Sequence, residues 1–164
     1  AVLVGGKSKA FDLSAERAAR LADEIAAAVG AVGGSLMLTY SRRTPDAARA
    51  VMTARLSVLP GEIWDGQGEN PYFAYLGSAD VVLVTEDSTN MATDAAVTGK
   101  PVYLLSLDGG AAKFAAFQAE LARRGVARPF AGALETWTYA PLAETDRAAD
   151  EILRRFDARQ GDQP

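Results

Sequence analysis

The segment that decides the fold is Gly77–Pro101, GSADVVLVTEDSTNMATDAAVTGKP, in which a buried strand, a polar turn and a helix start follow one another. The run Val81–Val84 is continuously apolar, as is typical of a parallel strand covered on both faces. A helix is predicted to begin as soon as this strand ends, with Asp87 or Ser88 as its N-cap, and to end at Gly99. Backbone N–H groups at such a helix start lack intrahelical acceptors and favour an anion, so the segment predicts a phosphate-binding geometry.

Strand and helix patterns alternate along the rest of the chain. Four more strands are predicted near Val2–Val4, Ser35–Thr39, Glu62–Trp64 and Val102–Leu105. A helix is predicted over Ala15–Val29 with Ser14 as its N-cap, and a second helix with Thr44 as its cap and Pro45 at its first position, continuing through about Ala54. Three more helices are predicted over Ala74–Leu76, over Ala111–Arg124 and from about Thr145 to Phe156. This alternation predicts an α/β domain with three α/β/α layers, a mainly parallel sheet and right-handed crossovers. We expect one domain over residues 1–158 and a flexible tail over residues 159–164.

Composition excludes several kinds of chemistry. The 164 residues include neither cysteine nor histidine, which excludes disulfides, thiolate catalysis, imidazole bases and zinc sites of the usual ligand set. We therefore expect no metal and no resident cofactor. A net charge of -4 argues against a nucleic-acid partner, because such binding needs clustered lysine and arginine.

Membrane insertion is not indicated by the sequence. No apolar stretch reaches the roughly 18 residues of a spanning helix, and we expect a cytoplasmic protein. Peripheral association with a membrane surface stays open. The chain starts directly on a buried-strand pattern without an initiator methionine, so we expect the C-terminal half of a longer protein whose N-terminal domain is its partner.

The loop after the first strand carries candidate phosphate ligands. It contains Gly5 and Gly6, which allow close backbone approach, together with Lys7 and Ser8, which can neutralise or donate to a phosphate. It matches neither the Walker A loop nor the GxGxxG dinucleotide motif. The alternative is an ordinary glycine turn with solvated lysines.

Two further polar loops follow predicted strands. Arg42 follows the second strand, and Gln67, Glu69 and Asn70 follow the third. Because ligands of open α/β sheets bind outside the carboxyl ends of the strands, we expect the loops at residues 5–9, 41–43, 66–72 and 86–90 to line one crevice. Solvated surface loops are the alternative for each of them.

The helix after the fourth strand adds a candidate ribose ligand. Asn90 and Asp94 are four residues apart and share one helix face. With phosphate at Ser88 and Thr89, the Asp94 carboxylate could accept hydrogen bonds from a ribose diol. The alternative is that Asp87 caps the helix and Asp94 is solvated.

These motifs resemble the C-terminal half of the GT-B glycosyltransferases, which bind a nucleotide sugar between two Rossmann-like domains. In the lipid-linked cell-wall N-acetylglucosaminyltransferases of that class a Gly-Gly-Ser loop follows the first strand, as in Gly5-Gly6-Lys7-Ser8. Their later conserved segment is similar to Ala79-Asp80 through Asp94-Ala95-Ala96, Gly99 and Pro101. The resemblance implies that Ser88, Thr89 and Asn90 hold the pyrophosphate and that Asp94, where the class usually has Glu, holds the ribose.

A closer resemblance, over nearly the whole chain, is to the mitochondrial-fission "elongated mitochondria" family of plants and its bacterial members. It is carried by VGG at 4–6, YSRRTP at 40–45, GENPY at 68–72, TEDSTNM at 85–91 and GKPV at 99–102. The resemblance implies a GT-B-like fold. Some members are described as nucleoside-diphosphate-sugar epimerases, but the chain has neither the GxGxxG loop nor a Tyr-x-x-x-Lys pair.

We therefore expect a Rossmann-like domain that binds the nucleoside diphosphate part of a sugar donor. In metal-free GT-B enzymes helix amides and basic or hydroxyl side chains stabilise the departing diphosphate, and the candidates here are Gly6, Lys7, Ser8, Arg42, Ser88 and Thr89. The acceptor's base commonly comes from the N-terminal domain, so no catalytic residue is assigned. The alternatives are a non-catalytic scaffold or interaction module on a degenerate fold, and a nucleoside-diphosphate-sugar epimerase. The missing motif disfavours an NAD-dependent oxidoreductase.

Overall fold

The computed structural model describes residues 1–161, which form a six-stranded parallel sheet flanked by helices. The strands of this sheet are β1 (Val2–Val4), β3 (Leu36–Tyr40), β4 (Gly61–Ile63), β5 (Val82–Thr85), β6 (Val102–Leu105) and β8 (Ala127–Pro129). Two further strands, β2 (Phe11–Asp12) and β7 (Asp108–Gly109), form a short antiparallel pair. The helices are α1 (Ala15–Ala31), α2 (Asp46–Leu56), α3 (Tyr72–Ser78), α4 (Thr89–Val97), α5 (Ala112–Arg123) and α6 (Glu144–Gly161).

The strand order is β4-β3-β1-β5-β6-β8. The chain therefore winds outward from β1 to β4, returns to the far side of β1, and then winds outward again through β5, β6 and β8. This is the doubly wound order of Rossmann folds, with the reversal between β1 and β5. The predicted fold class is confirmed, and the switch point lies where the sequence analysis places its first phosphate loop.

Side chains alternate across the sheet and build two cores. Val2 and Val4 of β1 belong to the core beneath α1 and α2, whereas Leu3 belongs to the core beneath α3, α4 and α5. Each of these three residues is at most 2% exposed. A central strand covered on both faces explains the continuous apolar runs in the sequence.

The predicted strands agree with the observed ones to within one residue at each end, and Ser14 caps α1 by accepting from the amide of Arg17. The prediction that Thr44 caps α2 is wrong. Pro45 is the N-cap, and the hydroxyl of Thr44 donates instead to the carbonyls of Val4 and Gly5. The sequence analysis also missed β8 and the β2–β7 pair, which are too short to show a period.

The ends of the last two helices differ from expectation in opposite ways. α5 is one residue shorter than predicted at each end, whereas α6 starts at Glu144 and continues to Gly161. Residues 159–161, the start of the expected tail, therefore belong to α6. Residues 162–164 of that tail lie outside the described residues.

Candidate functional site

Three loops meet at the carboxyl end of the sheet around the switch point. The amide of Lys7, after β1, donates to the carbonyl of Arg43, after β3, at 3.1 Å. The amide of Gly6 donates to Asp87 Oδ2, after β5, at 3.1 Å. The loops after β1, β3 and β5 are therefore joined by direct hydrogen bonds.

The Asp87 carboxylate lies at the centre of this meeting point. Its side chain is 0% exposed, and Oδ2 is 2.8 Å from Nη1 of Arg43, whose side chain is 43% exposed. The other oxygen, Oδ1, is buried without a hydrogen-bond donor. The position between the glycine loop and α4 is thus filled by an anion that belongs to the protein itself.

The two glycines after β1 are required by this packing. A Cβ at Gly5 would lie 2.4 Å from Asp87 Oδ1, and one at Gly6 would lie 2.9 Å from the carbonyl oxygen of Arg43. Gly6 also has a φ of 138°, a conformation that side-chain-bearing residues rarely adopt. The amide of Gly5 donates to the hydroxyl of Thr85 at 2.7 Å, so both glycine amides already have acceptors within the chain.

Two of the predicted phosphate ligands already accept hydrogen bonds within the chain. Ser8 Oγ accepts from the amides of Ala10 and Phe11, and Ser88 Oγ accepts from the amide of Met91 at 3.4 Å as the N-cap of α4. The remaining predicted ligands lie at the surface or partly buried around these loops: Lys7, Arg42, Thr89 and Asn90.

The sequence left Asp87 and Ser88 as alternative N-caps of α4. Asp87 is not the cap. Ser88 is the cap, while the neighbouring Glu86 accepts from the amide of Leu107 at 2.6 Å. Both acidic side chains before α4 are therefore hydrogen-bonded to other loops, Asp87 to the glycine loop and Glu86 to the segment after β6.

The predicted ribose ligand Asp94 is held by a tyrosine. The hydroxyl of Tyr72 donates to Asp94 Oδ2 at 2.8 Å, and the pair is partly buried. Burial, followed by the hydrogen bond and charge of Asp94, raises the pKa of Tyr72, so the phenol stays protonated and remains a donor at neutral pH. This contact joins the start of α3 to the second turn of α4.

The predicted base-side loop after β4 is exposed but anchored at two points. The indole Nε1 of Trp64 donates to the carbonyl of Gln67 at 2.8 Å, and Asn70 Oδ1 accepts from the amide of Tyr72 at 3.0 Å. The side chains of Gln67, Glu69 and Asn70 face solvent. The end of the loop is joined to α4 through the hydrogen bond between Tyr72 and Asp94. That all four loops line one crevice stays a prediction.

Neither the pairing of Asp87 with Arg43 nor the hydrogen bond of Tyr72 to Asp94 was predicted from the sequence. An acidic residue next to a helix start is typical of a cap, so the pattern alone favours that role. Arg42 and Arg43 follow β3, and Asp87 follows β5. These two strands flank β1, so the opposite charges at their ends are the signal that could have revealed the ion pair.

Comparison with known proteins places the chain in a family. The family model for Mitochondrial fission ELM1 matches residues 1–156. The chain belongs to this family. The predicted resemblance to the mitochondrial-fission family is thereby confirmed.

Two curated relatives support this membership. The chain is 41% identical over 130 residues to the Mitochondrial fission protein ELM1 of Arabidopsis thaliana, which covers 77% of this chain and 30% of the relative. It is 27% identical over 159 residues to the uncharacterised protein RP120 of Rickettsia prowazekii (strain Madrid E), which covers 93% of this chain and 45% of that relative. The chain thus spans less than half the length of either.

Neither a membrane-spanning helix nor a metal-binding cluster occurs in the part of the chain that the structure describes. None of the helices up to Gly161 has the length and apolar character needed to cross a membrane. Within the same residues no three acidic side chains come together in a way that could hold a metal ion.

Proposed function

We propose that this domain forms one wall of a binding site for the nucleoside diphosphate part of a nucleotide sugar, in a GT-B-like member of the fission family. The site lies over the switch point between β1 and β5, where open α/β sheets bind their ligands. The observation that carries the proposal is the arrangement around α4. Two exposed cations, Lys7 and Arg42, and the helix-start amides that Ser88 does not cap lie at one end, and the Asp94 carboxylate, oriented by Tyr72, lies in the second turn of the same helix.

The phosphate end of the proposed site consists of surface groups. Lys7 and Arg42 are exposed, and none of the ion pairs among the described residues includes them. The first turn of α4 adds the hydroxyl of Thr89 and helix amides that lack intrahelical acceptors. Because Asp87 and Arg43 neutralise each other, the charge left for a ligand is positive.

The ribose end depends on Asp94. Tyr72 occupies Oδ2, so Oδ1 is free to accept from a sugar hydroxyl, and the partial burial of the pair strengthens such a bond. Asp94 lies four residues after Asn90, or about 6 Å along the helix axis, and the two share one helix face. A phosphate held at Asn90 and a ribose held at Asp94 would therefore lie along that face.

The experiment is a calorimetric titration of the chain with UDP, GDP, ADP and CDP. We expect one of them to bind, and Asp94→Asn to weaken it by about 1.5–3 kcal/mol, or roughly 10- to 150-fold, because a charged acceptor is lost. Arg42→Gln should weaken the diphosphate more than the matching nucleoside. The control is Asp150→Asn, an exposed acid on α6. Equal binding by Asp94→Asn and the parent would contradict the ribose assignment.

Sugar transfer is part of the proposal only for the longer protein. Catalysis requires the reacting groups to be held together and shielded from water, and this domain offers one wall with no assigned base. We expect the chain alone to transfer nothing from any nucleotide sugar. Turnover above a blank that is lost in Asp94→Asn would overturn this. A cytoplasmic location belongs to the same proposal.

A scaffold or protein-interaction role is the second candidate, and the buried Asp87 favours it. The glycine amides that hold phosphate in nucleotide-binding loops are here bonded to Asp87 and Thr85. A fold that has replaced its ligand with an internal carboxylate needs no nucleotide. Failure of all four diphosphates to bind would support this candidate over the first.

A further inference from the structure

A groove between α2 and β4 contains an arginine without an anionic partner. Arg49 lies on α2 with its guanidinium carbon 5.0 Å from the centre of the Tyr40 ring. Its Nε is buried and has no acceptor, and Nη2 reaches the carbonyl of Ser41 at 3.5 Å. None of the ion pairs in residues 1–161 includes it.

This state is costly unless something binds there. A guanidinium carries five N–H donors, and this one makes a single long hydrogen bond within the chain. The side chain is half-buried and keeps part of its contact with water, but its Nε is buried without an acceptor and no counter-charge is paired with it, which is unfavourable. A planar anion that accepts two parallel bonds would supply both at once.

The groove beside Arg49 has the shape for a small molecule. Its volume is about 460 Å³, and it is lined by side chains of α2 and of the end of β4. The walls are apolar where Ala50, Ala54 and Ile63 line them, and the Trp64 indole is fixed by its bond to Gln67. None of the predicted phosphate ligands lines the groove, so this site is separate from the one proposed above.

The rim of the groove selects among anions. Asp46, from the first turn of α2, and Asp65, from the loop after β4, both line it and both face solvent. A dianionic phosphate must pass these two carboxylates, whereas a singly charged carboxylate on an apolar body meets less repulsion. The apolar walls and the indole stabilise such a body by burying it.

From these observations we infer that the groove binds a small organic monocarboxylate whose carboxylate pairs with Arg49 and whose apolar or aromatic body lies against Trp64. The competing structural explanation is that Asp46 or Asp65 swings inward and neutralises Arg49 in solution. Asp46 lies three residues before Arg49 on the helix, which brings the two within reach of one another. The experiment therefore separates these two possibilities.

The test is a ¹⁵N NMR titration of the whole chain with benzoate, with benzyl alcohol as the uncharged analogue and inorganic phosphate as the free anion. We expect benzoate to shift the Trp64 indole and Arg49 Nε signals saturably, and benzyl alcohol to bind at least 10-fold more weakly. Arg49→Gln should lose about 10-fold or more in benzoate affinity. Arg55→Gln, on the same helix but paired with Asp23, should lose none.

Other outcomes overturn the inference. Benzoate affinity that is the same in Arg49→Gln and the parent excludes Arg49 as the ligand. Saturable binding that is present in Asp46→Asn or Asp65→Asn but absent in the parent shows that the chain neutralises its own arginine. Phosphate shifting the same signals more tightly than benzoate rejects the monocarboxylate. If Arg49→Gln does not fold, Arg49→Lys keeps the charge but loses the bidentate geometry, and equal affinity in that variant also contradicts the inference.

Discussion

The buried ion pair at the switch point makes a strong prediction about stability. Replacing Asp87 by alanine removes the partner of Arg43 and leaves the amide of Gly6 without an acceptor. A fully buried pair that loses one partner costs about 3–5 kcal/mol, but the Arg43 side chain is 43% exposed and water can solvate it. The orphaned amide adds about 1–3 kcal/mol.

We therefore expect Asp87→Ala to lower the free energy of unfolding by about 3 kcal/mol, and the melting temperature by about 6–12 °C for a chain of this size. Asp87→Asn keeps an oxygen for the Gly6 amide and should lose about half as much. Urea unfolding, followed by the far-UV circular dichroism of the helices, measures both. The exposed Asp150→Ala is the control and should change stability by less than about 0.5 kcal/mol.

A double-mutant cycle isolates the pair itself. Arg43→Gln leaves Asp87 buried without a cation, so it should destabilise the fold even though the arginine is half exposed. The cycle with Asp87→Asn should give a coupling energy of at least about 1 kcal/mol. A coupling below about 0.3 kcal/mol would refute the conclusion that this pair holds the three loops together.

The same variant distinguishes the two candidate functions. Asp87→Asn keeps an oxygen for the Gly6 amide but removes the negative charge, so Arg43 becomes available to an external anion. Inorganic pyrophosphate at ten times its dissociation constant should then stabilise Asp87→Asn by about 1.4 kcal/mol. If the parent gains as much, Asp87 is not competing for the phosphate position.

Three further predictions concern other parts of the molecule. Gly5→Ala should destabilise the fold by more than about 2 kcal/mol because its Cβ would lie 2.4 Å from Asp87 Oδ1, and Gly5→Ala combined with Asp87→Ala should lose less than the sum of the two in urea unfolding. Burial raises the pKa of Tyr139 to about 12, so stability present below pH 10 should fall as the pH rises toward 12, and Tyr139→Phe should flatten that part of the stability curve. The Arg124 guanidinium holds the pKa of Glu144 below its ordinary value, so the stability that this pair contributes above about pH 4.5 is lost on acidification. The rate of hydrogen exchange in α6 should therefore rise below that pH, and the rise should be larger in low salt than in high salt.

The fold could be predicted from sequence because its signals are local. A continuous apolar run specifies a strand covered on both faces, and Ser14 before a periodic segment specifies a helix start. Strands of two or three residues such as β2 and β8 show no period, so they stayed hidden. No local pattern specifies the strand order, which is seen only in the three-dimensional structure.

The candidate site was harder to predict from the sequence than the fold, and the reason is physical. The loops after β1, β3 and β5 could be predicted to meet, because the carboxyl ends of parallel strands share one edge of the sheet. Whether Asp87 caps α4 or lies beneath a glycine loop depends on residues 81 positions away in sequence. The role of Thr44 failed similarly, since its hydroxyl bonds to the end of β1 rather than to its own helix.

Both edges of the sheet are poor templates for further strands. β4 is three residues long and carries the charge of Glu62, and β8 is equally short and ends in Pro129 after Arg128. A short strand offers few unpaired backbone groups, proline lacks the N–H that a new neighbour would bond, and charges resist stacking against a second copy. Aggregation by pairing of sheet edges is therefore disfavoured on both sides of the sheet. Exchange of a strand between two molecules is disfavoured for the same reason, because both edge strands are short.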